Sequence, residues 1–133
     1  MIRLLFVCIE NSARSQMAQG LAQFLAKRYK LPELEAYSAG SHPSGRVNPL
    51  AIAAMKEAGI DISGHQSKGL SEIPDFEYDY VITMGCGDSC PFVRAKNRLD
   101  WQIENPAGKD LEGFKKIRDQ VEENVDKLLR SLV

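Results

Sequence analysis

Cys8, Arg14 and Ser15 stand in the order Cys-x5-Arg-Ser, a spacing suited to holding a tetrahedral oxyanion. The five residues between, Ile9-Glu10-Asn11-Ser12-Ala13, can curl so that their N–H groups point inward above a helix N-terminus. The Arg14 guanidinium can clasp two oxygens of such an ion. Cys8 lies at the rim, where the same N–H groups, the helix dipole and the Ser15 hydroxyl favour its thiolate. Asn11 suits a left-handed backbone position and can brace the loop. The plainer alternative is a buried structural Cys before a polar turn. Spacing alone does not separate the two; placement between a buried strand and a helix favours the oxyanion cradle.

Cys86 and Cys90 lie four apart in a Gly-rich segment. If the segment is helical when oxidised, their Cα atoms lie about 6 Å apart, inside the range a disulfide can bridge. Gly85 and Gly87 would let it rearrange. A zinc site is disfavoured, since three Cys and two His show no recognisable ligand spacing. Three cysteines is an odd number, which speaks against a disulfide scaffold.

The elements that must position these residues follow from hydrophobic patterning. Residues 2–7 are a short aliphatic run, as in a strand buried on both faces of a parallel sheet. A helix is expected from about Ser15 to Arg28, with Met17, Leu21, Phe24 and Leu25 on one face. A second strand spans 34–39. Asn48-Pro49 reads as an N-cap with Pro at the first helical position, opening a helix that ends at Ala58-Gly59. Residues 78–84 form a third strand, 98–101 a short fourth, and 111–132 the longest helix, with Phe114, Ile117, Val121, Val125 and Leu128 inward. This order indicates an α/β sandwich with a parallel sheet. Ligands in such sheets bind beyond the carboxyl ends of the strands. The loops after strands one, three and four should therefore converge there, bringing Cys8, then Cys86 and Cys90, then Asn105.

The 133 residues fit one domain, 1–133. Hydrophobic residues make up 44%, enough for an ordinary core. Seventeen basic residues against eighteen acidic leave a net charge of −1, which argues against bulk binding to nucleic acid or membrane. An anion must be held by a local site instead. No apolar stretch approaches the roughly 20 residues that span a bilayer, and the N-terminal run is too short for a secretory signal. A cytoplasmic monomer is expected.

The segment Cys8-Ile9-Glu10-Asn11-Ser12-Ala13-Arg14-Ser15-Gln16-Met17-Ala18 resembles the opening of arsenate reductases built on the low-molecular-weight protein tyrosine phosphatase fold. The resemblance continues in Tyr37-Ser38-Ala39-Gly40, Val47-Asn48-Pro49, Gly59-Ile60-Asp61-Ile62-Ser63, Val81-Ile82-Thr83-Met84-Gly85-Cys86-Gly87-Asp88-Ser89-Cys90-Pro91 and Asn105-Pro106-Ala107-Gly108-Lys109. It implies a three-layer sandwich with a four-stranded parallel sheet in flavodoxin-like order. It also implies reduction of arsenate to arsenite, with no cofactor or metal, by a relay through Cys8, Cys86 and Cys90. The oxyanion would sit on residues 8–15, with phosphate or sulfate competing. Thioredoxin is the implied reductant; a low-molecular-weight thiol such as mycothiol or glutathione is the alternative within the same chemistry. A tyrosine phosphatase, which needs only Cys8, and a non-catalytic oxyanion-binding module are the readings from other classes.

Four departures from the family pattern bear on function. Asn105 stands where most relatives carry an Asp that protonates the leaving group, and an amide cannot do so. Glu104 beside it is a conceivable substitute. Ala107-Gly108 replaces the aromatic pair that follows Pro in the phosphatases. Gln19 and Lys68 stand where some relatives place acids around a potassium ion, so the Lys68 ammonium is expected near Asn11 and Ser38 in place of a cation. Ala13 replaces a Cys that takes no part in the relay. His42 is expected to be solvated, His65 to cap a turn, Trp101 to pack. Arg94, Lys96 and Arg98 form a basic run of the kind that is usually solvated and that could help dock a redox partner.

Overall fold

The computed structural model describes residues 1–85 and 93–133. Residues 4–8 form an unbroken buried run, which requires cover on both faces, and they lie in the central strand β1, Ile2–Cys8. It pairs in parallel with β2, Leu34–Gly40, on one side and β3, Tyr78–Thr83, on the other. Strand β4, Ala95–Asp100, pairs in parallel with β3 at the edge. The order β2-β1-β3-β4 is the expected flavodoxin-like arrangement.

Three helices complete the fold: α1, Arg14–Arg28; α2, Pro49–Glu57; and α3, Leu111–Ser131. Asn48 caps α2, its side chain accepting from the Leu50 N–H at 2.8 Å with Pro49 following. Gly59 ends that helix at φ +83°. The five expected apolar positions of α3 are all buried. All three helices pack on one face of the sheet, over Leu4, Phe6, Ile82 and Met84. On the other face Leu5, Val7, Tyr78 and Val81 are covered by Leu70, Ile73 and Phe76. Among the described residues this third layer is a chain segment with one 3-10 turn, Leu70–Glu72, rather than a helix.

Two expectations shift. Strand β4 begins at Ala95, three residues ahead of the expected start, because register with Tyr78 and Tyr80 sets its extent and its own residues are mostly polar and exposed. Phe24 is exposed and lies under the Arg28 guanidinium. The buried face of α1 centres on Ala18, Leu21, Ala22 and Leu25, and Phe24 falls at its margin. No described helix is long and apolar enough to cross a membrane.

Candidate active site

The turn from β1 into α1 builds a cradle. Each carbonyl from residue 8 to 13 accepts a hydrogen bond from outside the loop's concave side. The Cys8, Ile9, Glu10 and Ser12 oxygens take the N–H groups of Ser41, His42, Ser44 and Asn48. The Asn11 oxygen takes Gln16 Nε2, and the Ala13 oxygen takes the Met17 N–H. With the carbonyls held outward, the N–H groups of Glu10, Asn11, Ser12 and Ala13 donate to no described residue. Asn11 and Ala13 are buried, and buried N–H groups are rarely left so unless a ligand receives them. Helix α1 has no side-chain cap and no acid in its first turn, so its positive end also faces the cradle.

Asn11 adopts φ +51° and is fully buried. Its Nδ2 donates to Ser15 Oγ at 2.8 Å, and Ser15 Oγ lies 2.8 Å from Cys8 Sγ. Cys8 is buried and free. Arg14 is buried and is steadied by the Ile103 carbonyl, 3.3 Å from its Nη1. The space above Cys8 measures about 60 Å³ and is lined by Cys8, Glu10, Ser12, Arg14, Asn105 and Pro106, among others. A larger groove of about 540 Å³, lined by Gln23, Ala26, Lys27 and Leu34 among others, is mostly apolar and shares no residue with the cradle.

Asn105 reaches this space from the loop after β4, as the sheet topology requires. Its Oδ1 accepts from the Ala107 N–H at 3.0 Å, leaving the amide nitrogen as its remaining polar end. Glu104 is ion-paired with Lys109 at 2.8 Å and does not line the space. Cys86 and Cys90 lie outside the described residues, so their approach to Cys8 is not part of this geometry.

Lys68 meets Asn11 through its main chain: its N–H donates to Asn11 Oδ1 at 2.9 Å. Its ammonium makes no hydrogen bond among the described residues, so the cation-like role expected of it falls elsewhere. The Gln16 amide supplies the other donor to Asn11 Oδ1, at 3.0 Å, and Ser38 donates to Gln19 Oε1. Spacing does not mark Gln16, because an amide on a helix gives no sign in the sequence that it is wholly buried. His42 is exposed, and Trp101 packs beside Phe6 with ring centroids 6.0 Å apart. Of the basic run, Arg94 pairs with Asp75, Lys96 with Asp79, and Arg98 donates to the Val93 carbonyl. No cluster of three or more metal-ligating side chains occurs among the described residues.

Residues 3–133 match the sequence profile of the low molecular weight phosphotyrosine protein phosphatases. The chain belongs to that family. Within it, the glutaredoxin arsenate reductase of Synechocystis sp. is 42% identical over 135 residues, spanning 99% of both chains. A solved arsenate reductase in the phosphate binding state superposes with a TM-score of 0.87 at 40% identity, covering all of both chains. The thioredoxin-dependent arsenate reductase of Corynebacterium glutamicum superposes with a TM-score of 0.77 at 32% identity, covering 98% of this chain and 61% of that one. The cradle, its buried Cys and its Arg are thus found on a family scaffold whose relatives include both phosphatases and reductases.

Proposed function

We propose that this protein reduces arsenate to arsenite through a three-cysteine relay. The observation that carries the reading is the space over Cys8. At about 60 Å³ it has the volume of about two liquid waters, the scale of a free tetrahedral oxyanion rather than of an ester with a bulky leaving group. Its roof offers an amide, Asn105, where ester hydrolysis calls for a proton donor. Relatives named as arsenate reductases, at 42% and 40% identity over nearly the whole chain, support the same substrate.

Arsenate enters with its oxygens on the cradle N–H groups and the Arg14 guanidinium. The Cys8 thiolate attacks arsenic, the proton of a second arsenate hydroxyl passes to the departing hydroxide, which leaves as water, and a sulfur–arsenic bond forms. Cys86, as thiolate, attacks the Cys8 sulfur. The sulfur–arsenic bond breaks with its electron pair passing to arsenic, arsenite departs, and a Cys8–Cys86 disulfide remains. Cys90 then attacks Cys86, freeing Cys8 as thiolate and leaving a Cys86–Cys90 disulfide. An external thiol supplies the two electrons that reopen it. Thioredoxin fits the relay's final protein disulfide and is the reductant named for the Corynebacterium relative. Glutaredoxin is the second reading, favoured by the name of the Synechocystis relative.

The test is arsenate-dependent NADPH oxidation, run in parallel with thioredoxin plus its reductase and with glutaredoxin plus glutathione and its reductase. Turnover with thioredoxin that is lost in Cys8→Ser, Cys86→Ser and Cys90→Ser is expected. Turnover only with glutaredoxin would reassign the reductant. Silence in both systems would overturn the reductase reading.

A further inference from the structure

Helix α1 starts at the cradle and ends about 22 Å away, beside the amino ends of β1 and β2. It closes there in a Schellman turn. The Lys30 N–H reaches the Lys27 carbonyl at 3.3 Å, and the Leu31 N–H reaches the Ala26 carbonyl at 2.8 Å. Helix α2 ends in the same pair of bonds, with Gly59 in the left-handed position. In α1 that position is held by Lys30, at φ +55°. A side chain there carries a backbone cost that glycine avoids. A tight turn follows, with Pro32 at its second position and the Leu34 N–H donating to the Leu31 carbonyl at 3.1 Å.

These two turns shape the groove of about 540 Å³. Ala26, Leu31, Pro32 and Leu34 supply its apolar floor, and the exposed Lys27 and Lys30 line it as well. No acid lines it, and neither ammonium meets an acid among the described residues. Glu33, the acid next in sequence, is paired with the amino-terminal ammonium at 3.4 Å. The Schellman bonds also occupy the last carbonyls of α1, which blunts the negative end of the helix.

We propose that this groove binds a small organic carboxylate with an aliphatic tail, its head held by Lys27 and Lys30 and its tail on the apolar floor. A groove of this volume encloses a ligand of ordinary small-molecule size. Two cations without an acid select the sign of the head, and the floor selects the tail. The occupant is a free molecule rather than a bilayer, because the site is concave and its two lysines fall short of the roughly four to eight basic residues of a membrane-binding cluster. The site lies at the far end of α1 from Cys8 and is independent of the arsenate chemistry.

The experiment titrates decanoate into the nitrogen-15-labelled protein and follows the backbone amides, beside octanoate, acetate and decyltrimethylammonium. Decanoate is expected to saturate with a Kd of about 1 mM or below, shifting the amides of Ala26, Lys27, Lys30, Leu31 and Leu34. Octanoate, shorter by two CH2 groups, should bind about four- to fifteenfold more weakly. Acetate and the cation should give no saturable shift there. Lys30→Gly separates a binding role from a structural one. It should raise the thermal midpoint by about 2–5 °C as the backbone relaxes, yet weaken decanoate about two- to fivefold. Adding Lys27→Ala should bring the loss to about tenfold. The proposal is overturned by no saturable shift with decanoate, by equal affinity for decyltrimethylammonium, or by unchanged affinity in the double variant. Shifts confined to residues 9–14 would place the carboxylate in the cradle, and shifts produced only by phosphatidylglycerol vesicles would make the occupant a membrane; either result overturns it too.

Discussion

A Cβ built on Gly85 would overlap the Arg14 Nη1, and the backbone there holds φ +79°. Gly85 therefore does two things: it turns the chain at the end of β3 and leaves room for the guanidinium over the cradle. Gly85→Ala should displace Arg14 from the bound oxyanion. The expected result is a rise of about tenfold or more in the KM for arsenate, since a charge-assisted clasp contributes 1.5–3 kcal/mol, with a smaller change in thermal midpoint. A KM equal to the parent's would show that Arg14 stays in place. Asn105 sets the other limit on chemistry. Because its Oδ1 is held by the Ala107 N–H, an Asp at this position can keep the same turn and aim its second oxygen into the space over Cys8. Asn105→Asp should raise hydrolysis of p-nitrophenyl phosphate about a hundredfold, the usual worth of a placed general acid. Unaltered hydrolysis would mean that the small cavity, rather than the missing acid, excludes esters.

The strand-loop-helix unit β1-α1 depends on its neighbour β2 for shape. A Cβ on Gly40 would lie 2.6 Å from the Ile9 oxygen and 2.9 Å from the Asn11 nitrogen, both main-chain atoms that cannot step aside cheaply. Gly40→Ala should cost about 1–3 kcal/mol by overpacking, read from urea unfolding, and should slow Cys8 alkylation as the cradle opens. A variant as stable as the parent would contradict the close approach. At this scale the sequence was a good guide where periodicity or capping was strong. The stripe on α3, the Asn48-Pro49 start and the buried run of β1 could be read directly. So could the Cys8-to-Ser15 spacing and the left-handed Asn11. Strand β4 could not be bounded, since an edge strand of mostly polar residues owes its extent to pairing with β3 and has little hydrophobic pattern of its own. The exposure of Phe24 was also hidden, because the small residues Ala18 and Ala22 decide which side of α1 meets the sheet. The place of Gln16 is not legible for a related reason. A buried amide network leaves no period in a sequence, and the donors to Asn11 Oδ1 are visible only once β1, α1 and residues 65–68 are together.

On the scale of the whole molecule, the sheet is covered unequally. Three helices shield one face, and the other relies on a short segment and an aromatic cluster. Tyr78 packs against Tyr37 and Phe76 with ring centroids 5.7 Å and 4.8 Å apart, and the Arg3 guanidinium stacks over Phe76. Tyr78 is buried, its hydroxyl donating to the Pro74 carbonyl at 2.8 Å, which ties the covering segment to β3. Burial, with a smaller contribution from Tyr37, pushes its pKa up to about 12. A phenol whose folded pKa exceeds its unfolded value near 10 stabilises the fold fully below pH 10 and loses that contribution as pH rises toward 12. The loss is about 2–3 kcal/mol at one pKa unit per 1.4 kcal/mol. Tyr78→Phe removes the hydroxyl and its ionisation together. At neutral pH the variant should be less stable by about 1 kcal/mol for the lost hydrogen bond. As pH passes 10 the parent should weaken faster, so that the two urea midpoints converge and then cross. A gap that stays constant across the alkaline range would show that Tyr78 ionises as freely folded as unfolded. The aromatic layer would then be open to water, and the second face of the sheet would need a different account of its cover.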